Sequence, residues 1–236
     1  TCNRPECHGR VLRQLDMGCV VNPAVGREGQ LRLRPVSRPR KVLVIGGGPA
    51  GMEAARVAAA RGHQVVLCEQ TGVLGGQLRL AARPPHKQGR EKLTRYMVGQ
   101  MEKLRVHVRL HCPATAETVA ELAPDAIVLA TGAQPVRPPI PGASALAVTA
   151  WDVLAGTAVP GQRVVVVGGG DVGCETAEFL AAEGRQVTVI EMLPTVAPEL
   201  MPWTQRLLVE RLLAAGVEIL LQARVTAIED ARVLYD

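Results

Sequence analysis

Residues 42–70 recur 122 positions later as residues 164–192, with identity at 14 of 29 aligned positions. The shared residues fall in a fixed order. An apolar β-branched run (Val42 to Ile45; Val164 to Val167) ends in three glycines, a fourth glycine follows three positions on, and an Ala-rich stretch closes on Gly62 or Gly184. A second apolar run then ends on an acid, Glu69 or Glu191. Short β-branched runs bounded by turn residues predict buried strands, and the longer Ala-rich stretch between them predicts a crossover helix. A strand, helix and strand in that order give a parallel pair, so a chain containing the arrangement twice is an α/β protein with two such units.

The glycine spacing carries chemistry because of where it lies. Gly46 and Gly168 permit the tight turn from strand to helix, Gly48 and Gly170 carry no Cβ that would block an approaching pyrophosphate, and Gly51 and Gly173 let helix and strand pack closely. Free N–H groups and the positive end of the helix dipole then face an anion. Glu69 and Glu191 each lie 18 residues past the last motif glycine, near the roughly 20 expected of a carboxylate that accepts from a ribose diol. The sequence therefore predicts two Rossmann-like dinucleotide-binding units. A phosphate loop of the GxxxxGK type is absent from both strands. No arginine adjoins Glu191 in Met192-Leu193-Pro194, and a carboxylate repels a 2′-phosphate, so the second unit should take NADH in preference to NADPH. The copies differ around this frame. The first has Pro49-Ala50, then Gly75-Gly76-Gln77, then Ala130-Thr131-Gly132, whereas the second has Asp171-Val172 and neither later motif.

The remaining chain bounds the organisation. Its 236 residues suit one or two domains at roughly 150 residues each, and with 2% aromatics the core must be filled by Ala, Val and Leu. Residues 1–39 have little periodicity and read as a loop-rich cysteine segment and linker. Residues 40–143 form the first unit up to a Pro-rich connector, and 144–236 the second. Further helices are predicted over 91–104, 151–154 and 203–215, with strands over 106–110, 126–130, 217–221, 225–229 and 233–235. The opening Thr1, in place of Met, suggests a fragment. The net charge of +5 is partly local, with Arg27, Arg32, Arg34, Arg38, Arg40 and Lys41 close together. Without interleaved aromatics or a recognised motif these read as a solvated linker, and nucleic acid is not an expected partner. No apolar run reaches membrane-spanning length and no signal-peptide pattern opens the chain. Irregularly spaced cysteines are unlike an extracellular disulfide framework, so a cytoplasmic setting is expected.

The succession GGGPAG, Glu69, GGQL, ATG, GGGDVG and Glu191 resembles the flavoproteins with two dinucleotide-binding domains, in which the first unit holds FAD and the second NAD(P)H. The opening residues Cys2-Asn3, Cys7 and Cys19 to Glu28, together with Val148 to Leu154, are similar to the C-terminal half of the NADH:flavin oxidoreductase family, which includes 2,4-dienoyl-CoA reductase, enoate reductase and trimethylamine dehydrogenase. That resemblance implies an N-terminal (β/α)₈ barrel with FMN as partner, and an electron-input role for the present residues. It implies FAD contacts at Ala50, Glu69, Gln77, Lys87 and Ala114 beside Gly46, Gly48, Pro49, Gly51, Gly76, Thr131 and Gly132. It also implies a nicotinamide site at Gly168, Gly170, Asp171, Val172, Gly173 and Glu191, and a 4Fe-4S cluster to which Cys2, Cys7 and Cys19 give three of four thiolates. The residues themselves leave open a zinc site using Cys2, Cys7, His8 and Cys19, or unligated cysteines. Cys68 and Cys174, in apolar runs, read as core.

Hydride would pass from NADH to FAD and electrons onward through the cluster to FMN in the barrel, which would reduce an enoyl or enoate substrate. No side chain here is assigned a catalytic role, because the cofactors supply the redox chemistry. The alternative is an amine-dehydrogenase-type parent in which both units hold ADP-like ligands as a scaffold. A disulfide reductase would need a redox cysteine pair, absent both after Gly76 and beside the second motif.

Overall fold

The computed structural model describes residues 6–230 and 232–236. Two compact units divide the chain. The first comprises residues 1–82 and 88–133, and the second residues 83–87 and 134–236. The division falls ahead of the boundary expected near residue 143 because the Pro-rich connector packs with the second unit: the Pro141 carbonyl accepts from the Ile228 N–H at 2.9 Å.

The first unit opens with a short helix, α1 (Glu6–Leu12), inside the stretch expected to be loop-rich. Strand β1 (Lys41–Ile45) runs through the glycine turn into α2 (Pro49–Ala60), and β2 (Gln64–Cys68) follows. After α3 (Gln77–Leu80) and α4 (Arg90–Lys103) come β3 (His107–Arg109), α5 (Ala116–Leu122) and β4 (Ala126–Leu129). The sheet is parallel, in the order β3-β2-β1-β4. Side chains alternate across it. Val42, Val44, Val65 and Leu67 pack with Met52, Ala55 and Met101 on one face, while Leu43, Val66 and Cys68 meet Leu122 on the other. A strand covered on both faces must be apolar throughout, which is why β1 and β2 read as continuous runs rather than alternating ones. Helix α5 begins at a capping box, with Thr115 Oγ1 accepting from the Thr118 N–H. At the sheet edge, β4 leaves Ile127, Val128 and Leu129 exposed, Leu129 by 75%.

The second unit begins with α6 (Ala143–Leu146) and α7 (Ala150–Ala155). It then repeats the first design in β5 (Arg163–Val167), α8 (Asp171–Ala182) and β6 (Gln186–Ile190). Helix α9 (Pro202–Ala214), β7 (Glu218–Leu220) and a hairpin of β8 (Val225–Glu229) and β9 (Arg232–Tyr235) complete it. The parallel order is β5-β6-β7. Register is duplicated as well as sequence: Lys41 pairs Gln64 in the first unit, and Arg163 pairs Gln186 in the second. Helix α8 buries Cys174, Ala177 and Leu180 against Val187 and Val189 of β6 and against Leu208 and Leu212 of α9. The buried carboxylate of Glu178 is held by Arg211 of α9, with Nε to Oε1 at 2.5 Å and Nη2 to Oε2 at 3.3 Å. No helix among the described residues is long and apolar enough to cross a membrane.

The fourth glycine of each motif sets how closely helix approaches strand. A Cβ at Gly51 would lie 1.9 Å from the Gly46 carbonyl oxygen, and one at Gly173 1.9 Å from that of Gly168. Backbone cannot yield as a flexible side chain can. Gly51→Ala should therefore cost about 3 kcal/mol of stability in urea unfolding. Gly99→Ala, in α4 with open space around it, should instead stabilise by about 0.5–1 kcal/mol.

Candidate functional site

Each glycine turn is closed by a buried carboxylate. Glu69 Oε2 accepts from the Gly47 N–H at 2.7 Å, while its Oε1 accepts from the Thr71 N–H at 2.8 Å and the Thr71 hydroxyl at 2.9 Å. Glu191 Oε2 accepts from the Gly169 N–H at 2.6 Å, and its Oε1 from the Leu193 N–H at 2.8 Å. Both residues are less than a tenth exposed. A carboxylate has about four acceptor positions, so both acids retain capacity for the hydroxyls of a ribose. Thr71 and Leu193 occupy equivalent places in the repeat, and their part in orienting the acids was not foreseen from sequence.

In the first unit the three separate motifs converge. The Ala130 carbonyl oxygen lies 2.2 Å from where a Gly46 Cβ would sit, so the ATG turn closes against the first motif glycine. A Cβ on Gly76 would be 3.0 Å from Gly48 Cα. Gln77 Nε2 donates to the Ala133 carbonyl at 3.0 Å, beside Gly132. Around Gly48 itself a Cβ would meet nothing within 4 Å, leaving space at the start of α2 bordered by Glu69. Pro49 and Ala50 form the first helical positions, where the missing N–H of proline sacrifices no helical bond. Thr131 is exposed next to this turn. Ala114 packs, half-buried, against the Leu43 face of the sheet. Two shallow concavities of this unit, lined by Lys41, His63 and Gln64 or by Arg38, Arg61 and His63, lie at the amino ends of the strands. Ligands of open α/β sheets bind at the carboxyl ends, where the glycine turns are.

In the second unit Gly168, Gly170 and Gly173 form the same turn, with Asp171 and Val172 opening α8 and Val172 exposed. A Cβ on Gly168 would meet nothing within 4 Å. Above Gly170 the space is different: Glu199 Oε1 lies 3.5 Å from the Cβ position and accepts from the Asp171 N–H. Lys87, expected beside the first unit's ligand, lies in the strap 83–87 of the second unit and pairs with the buried Glu175 of α8. In the same strap, the Arg83 guanidinium stacks over the Phe179 ring.

Among the cysteines, Cys2 lies outside the described residues. Cys7 is on α1, and Cys19 follows it in irregular chain. Cys19 Sγ accepts from the Val21 N–H at 3.4 Å and the Asn22 N–H at 3.3 Å, and these bonds hold its thiol below the ordinary value. Such a sulfur is prepared to act as a thiolate ligand. Among the described residues no group of three or more His, Cys, Asp or Glu is arranged to hold a metal. Burial pushes Cys174 up to about 12. Cys68 rises to about 11 through burial and the neighbouring Cys112, whose sulfur is 3.3 Å away. In protein stripped of any metal, iodoacetamide at pH 7.5, mapped by mass spectrometry, should modify Cys19 while Cys68 and Cys174 stay unmodified until the chain is unfolded.

Comparison with known proteins follows this geometry. The family described as pyridine nucleotide-disulphide oxidoreductase matches residues 40–235. The NADH oxidase of Thermoanaerobacter brockii is 45% identical over 210 residues, covering 86% of this chain and 32% of that protein. The bilirubin reductase of Mediterraneibacter gnavus is 42% identical over 228 residues, covering 96% of this chain and 35% of that one. A solved 2-naphthoyl-CoA reductase complex superposes with a TM-score of 0.94 at 34% identity, over 100% of this chain and 36% of its own. The chain thus spans about a third of the length of these relatives.

Proposed function

The chain belongs to the pyridine nucleotide-disulphide oxidoreductase family, and from that membership we propose that it is the electron-input module of a larger NADH-dependent flavin oxidoreductase. The observation that carries the reading is the carboxylate-closed glycine turn, formed once in each unit at the amino end of the crossover helix. The first unit would hold FAD through the free space at Gly48, the Glu69 carboxylate and the converging turns at Gly76, Gln77, Thr131 and Gly132. The second would hold NADH at Gly168, Gly170 and Gly173, with Glu191 on the adenosine ribose. FAD held in the first unit would supply the redox chemistry, hydride acceptance from NADH and one-electron release. The protein's contribution is to position both nucleotides, and the Lys87–Glu175 pair fixes the strap against the face of α8.

Cys2, Cys7 and Cys19 would give three thiolates of a 4Fe-4S cluster that carries electrons to FMN in an N-terminal barrel, where an enoyl or enoate substrate is reduced. The Val21 and Asn22 N–H groups that donate to Cys19 Sγ support that assignment, because cluster iron is held by thiolates whose sulfurs can accept such bonds. The alternative is the scaffold reading, with an amine-dehydrogenase-type parent in which both units hold ADP-like ligands.

The test is an absorbance spectrum, metal analysis and anaerobic NADH titration of the whole flavoprotein. Flavin bands, a broad iron–sulfur absorbance and bleaching by NADH are the expected results; bound nucleotide without bleaching would establish the scaffold. NADH should reduce the protein faster than NADPH. Glu191→Ala should weaken NADH binding by about tenfold or more, as for the loss of a charge-assisted hydrogen bond, and narrow the preference. A faster reaction with NADPH in the unmutated protein would refute the role of Glu191.

A further inference from the structure

The repeat extends beyond the identical residues. Gly75 N–H donates to the Gly47 carbonyl at 2.9 Å, and Ala197 N–H to the Gly169 carbonyl at 2.7 Å. Ala197 thus stands where Gly75 does and adopts a positive φ of 46° to do so. Leu74 and Val196 likewise take equivalent places, each crowding the second glycine of its turn. Two positions further along the loop, Glu199 corresponds to Gln77. In the first unit Gln77 turns away to the Ala133 carbonyl, and the equivalent helix residue, Pro49, has no N–H to offer. In the second unit Asp171 supplies that N–H and Glu199 takes it. The result is an open space at Gly48 and a carboxylate oxygen 3.5 Å from the Cβ position of Gly170.

We propose that Glu199 is a built-in competitor for the second unit's dinucleotide: its carboxylate accepts from the amino end of α8 and must swing out before a pyrophosphate can bind. This rests on the reading of that unit as the NADH site. A pyrophosphate and a carboxylate are both anions drawn to the same N–H groups and helix dipole, and the two cannot share the space above Gly170. Glu199 is exposed, so it can leave into water without unfolding its loop, which Ala197 anchors. Apparent affinity is the intrinsic affinity reduced by the fraction of protein in which the site is clear. A self-blocking acid therefore weakens NADH and NAD⁺ together, and favours turnover over retention of the nucleotide. The first unit has no such acid, as suits a cofactor that stays bound.

The test is calorimetric titration of NADH and ADP-ribose into the full chain and its Glu199→Gln and Glu199→Ala variants, with FAD as a control ligand and thermal melts alongside. Because a helix-capping acceptor is worth a factor of about five, Glu199→Ala should bind both nucleotides about fivefold more tightly, with FAD affinity unchanged and the melt lowered. Glu199→Gln, which keeps an acceptor oxygen but loses the charge, should also bind more tightly and melt near the unmutated protein. A residue serving only as a cap would lower the melt without tightening binding. Unchanged or weaker nucleotide affinity in both variants would overturn the proposal while leaving the NADH reading intact. Failure of every form to bind either nucleotide would remove both.

Discussion

The structure depends on a buried carboxylate bonded to the N–H of the second glycine, formed once in each unit. A charged group placed less than a tenth exposed must be compensated by hydrogen bonds, and here the compensation comes from backbone. Glu69 and Glu191 each span two N–H donors, one in the glycine turn and one just beyond their own strand. The bond ties the end of the second strand to the start of the helix that left the first. It also excludes a side chain at the middle glycine: a Cβ at Gly47 would lie 2.9 Å from Glu69 Oε2, and one at Gly169 3.0 Å from Glu191 Cβ. Binding capacity follows from the same arrangement, since the remaining lone pairs of the acid border the space in which a nucleotide sugar can lie.

On this common frame the two units differ in what lies against the glycine turn. In the first, the ATG turn closes on Gly46 and the glutamine of GGQ is held away from the helix end. Among the described residues the second has no such ATG turn, and an exposed acid lies at the helix end instead. On the proposed reading, the first half would retain a prosthetic flavin and the second would exchange a diffusing nicotinamide.

Much of the fold could be read from the chain because local and global demands agree. Strands covered on both faces must be apolar without interruption, as β1 and β2 are; β5 and β6 also fall where Val-rich runs stand, although Val165 and Val167 of β5 are exposed. Helix α5 was not legible. It is seven residues long, too short to develop a helical period, and its start signal is a Thr–Thr capping box rather than an acidic one. Helix α1 was hidden for the same reason. The exposure of Ile127 and Leu129 could not be foreseen either, since an edge strand and a central strand share a composition.

The sequence by itself determined the duplicated strand–turn–helix, the three glycines that permit each turn and the acid that closes it, because these depend on steric and hydrogen-bonding rules acting over a few residues. Only the tertiary structure decided which side chains reach those turns from a distance. Lys87 follows the first motif in the chain yet lies against α8, because the buried Glu175 requires a cation. Glu199 stands 28 residues from Asp171 and meets it because the loop anchored at Ala197 returns over the turn. Such pairings are set by how loops fold back on a sheet, and no local rule records them.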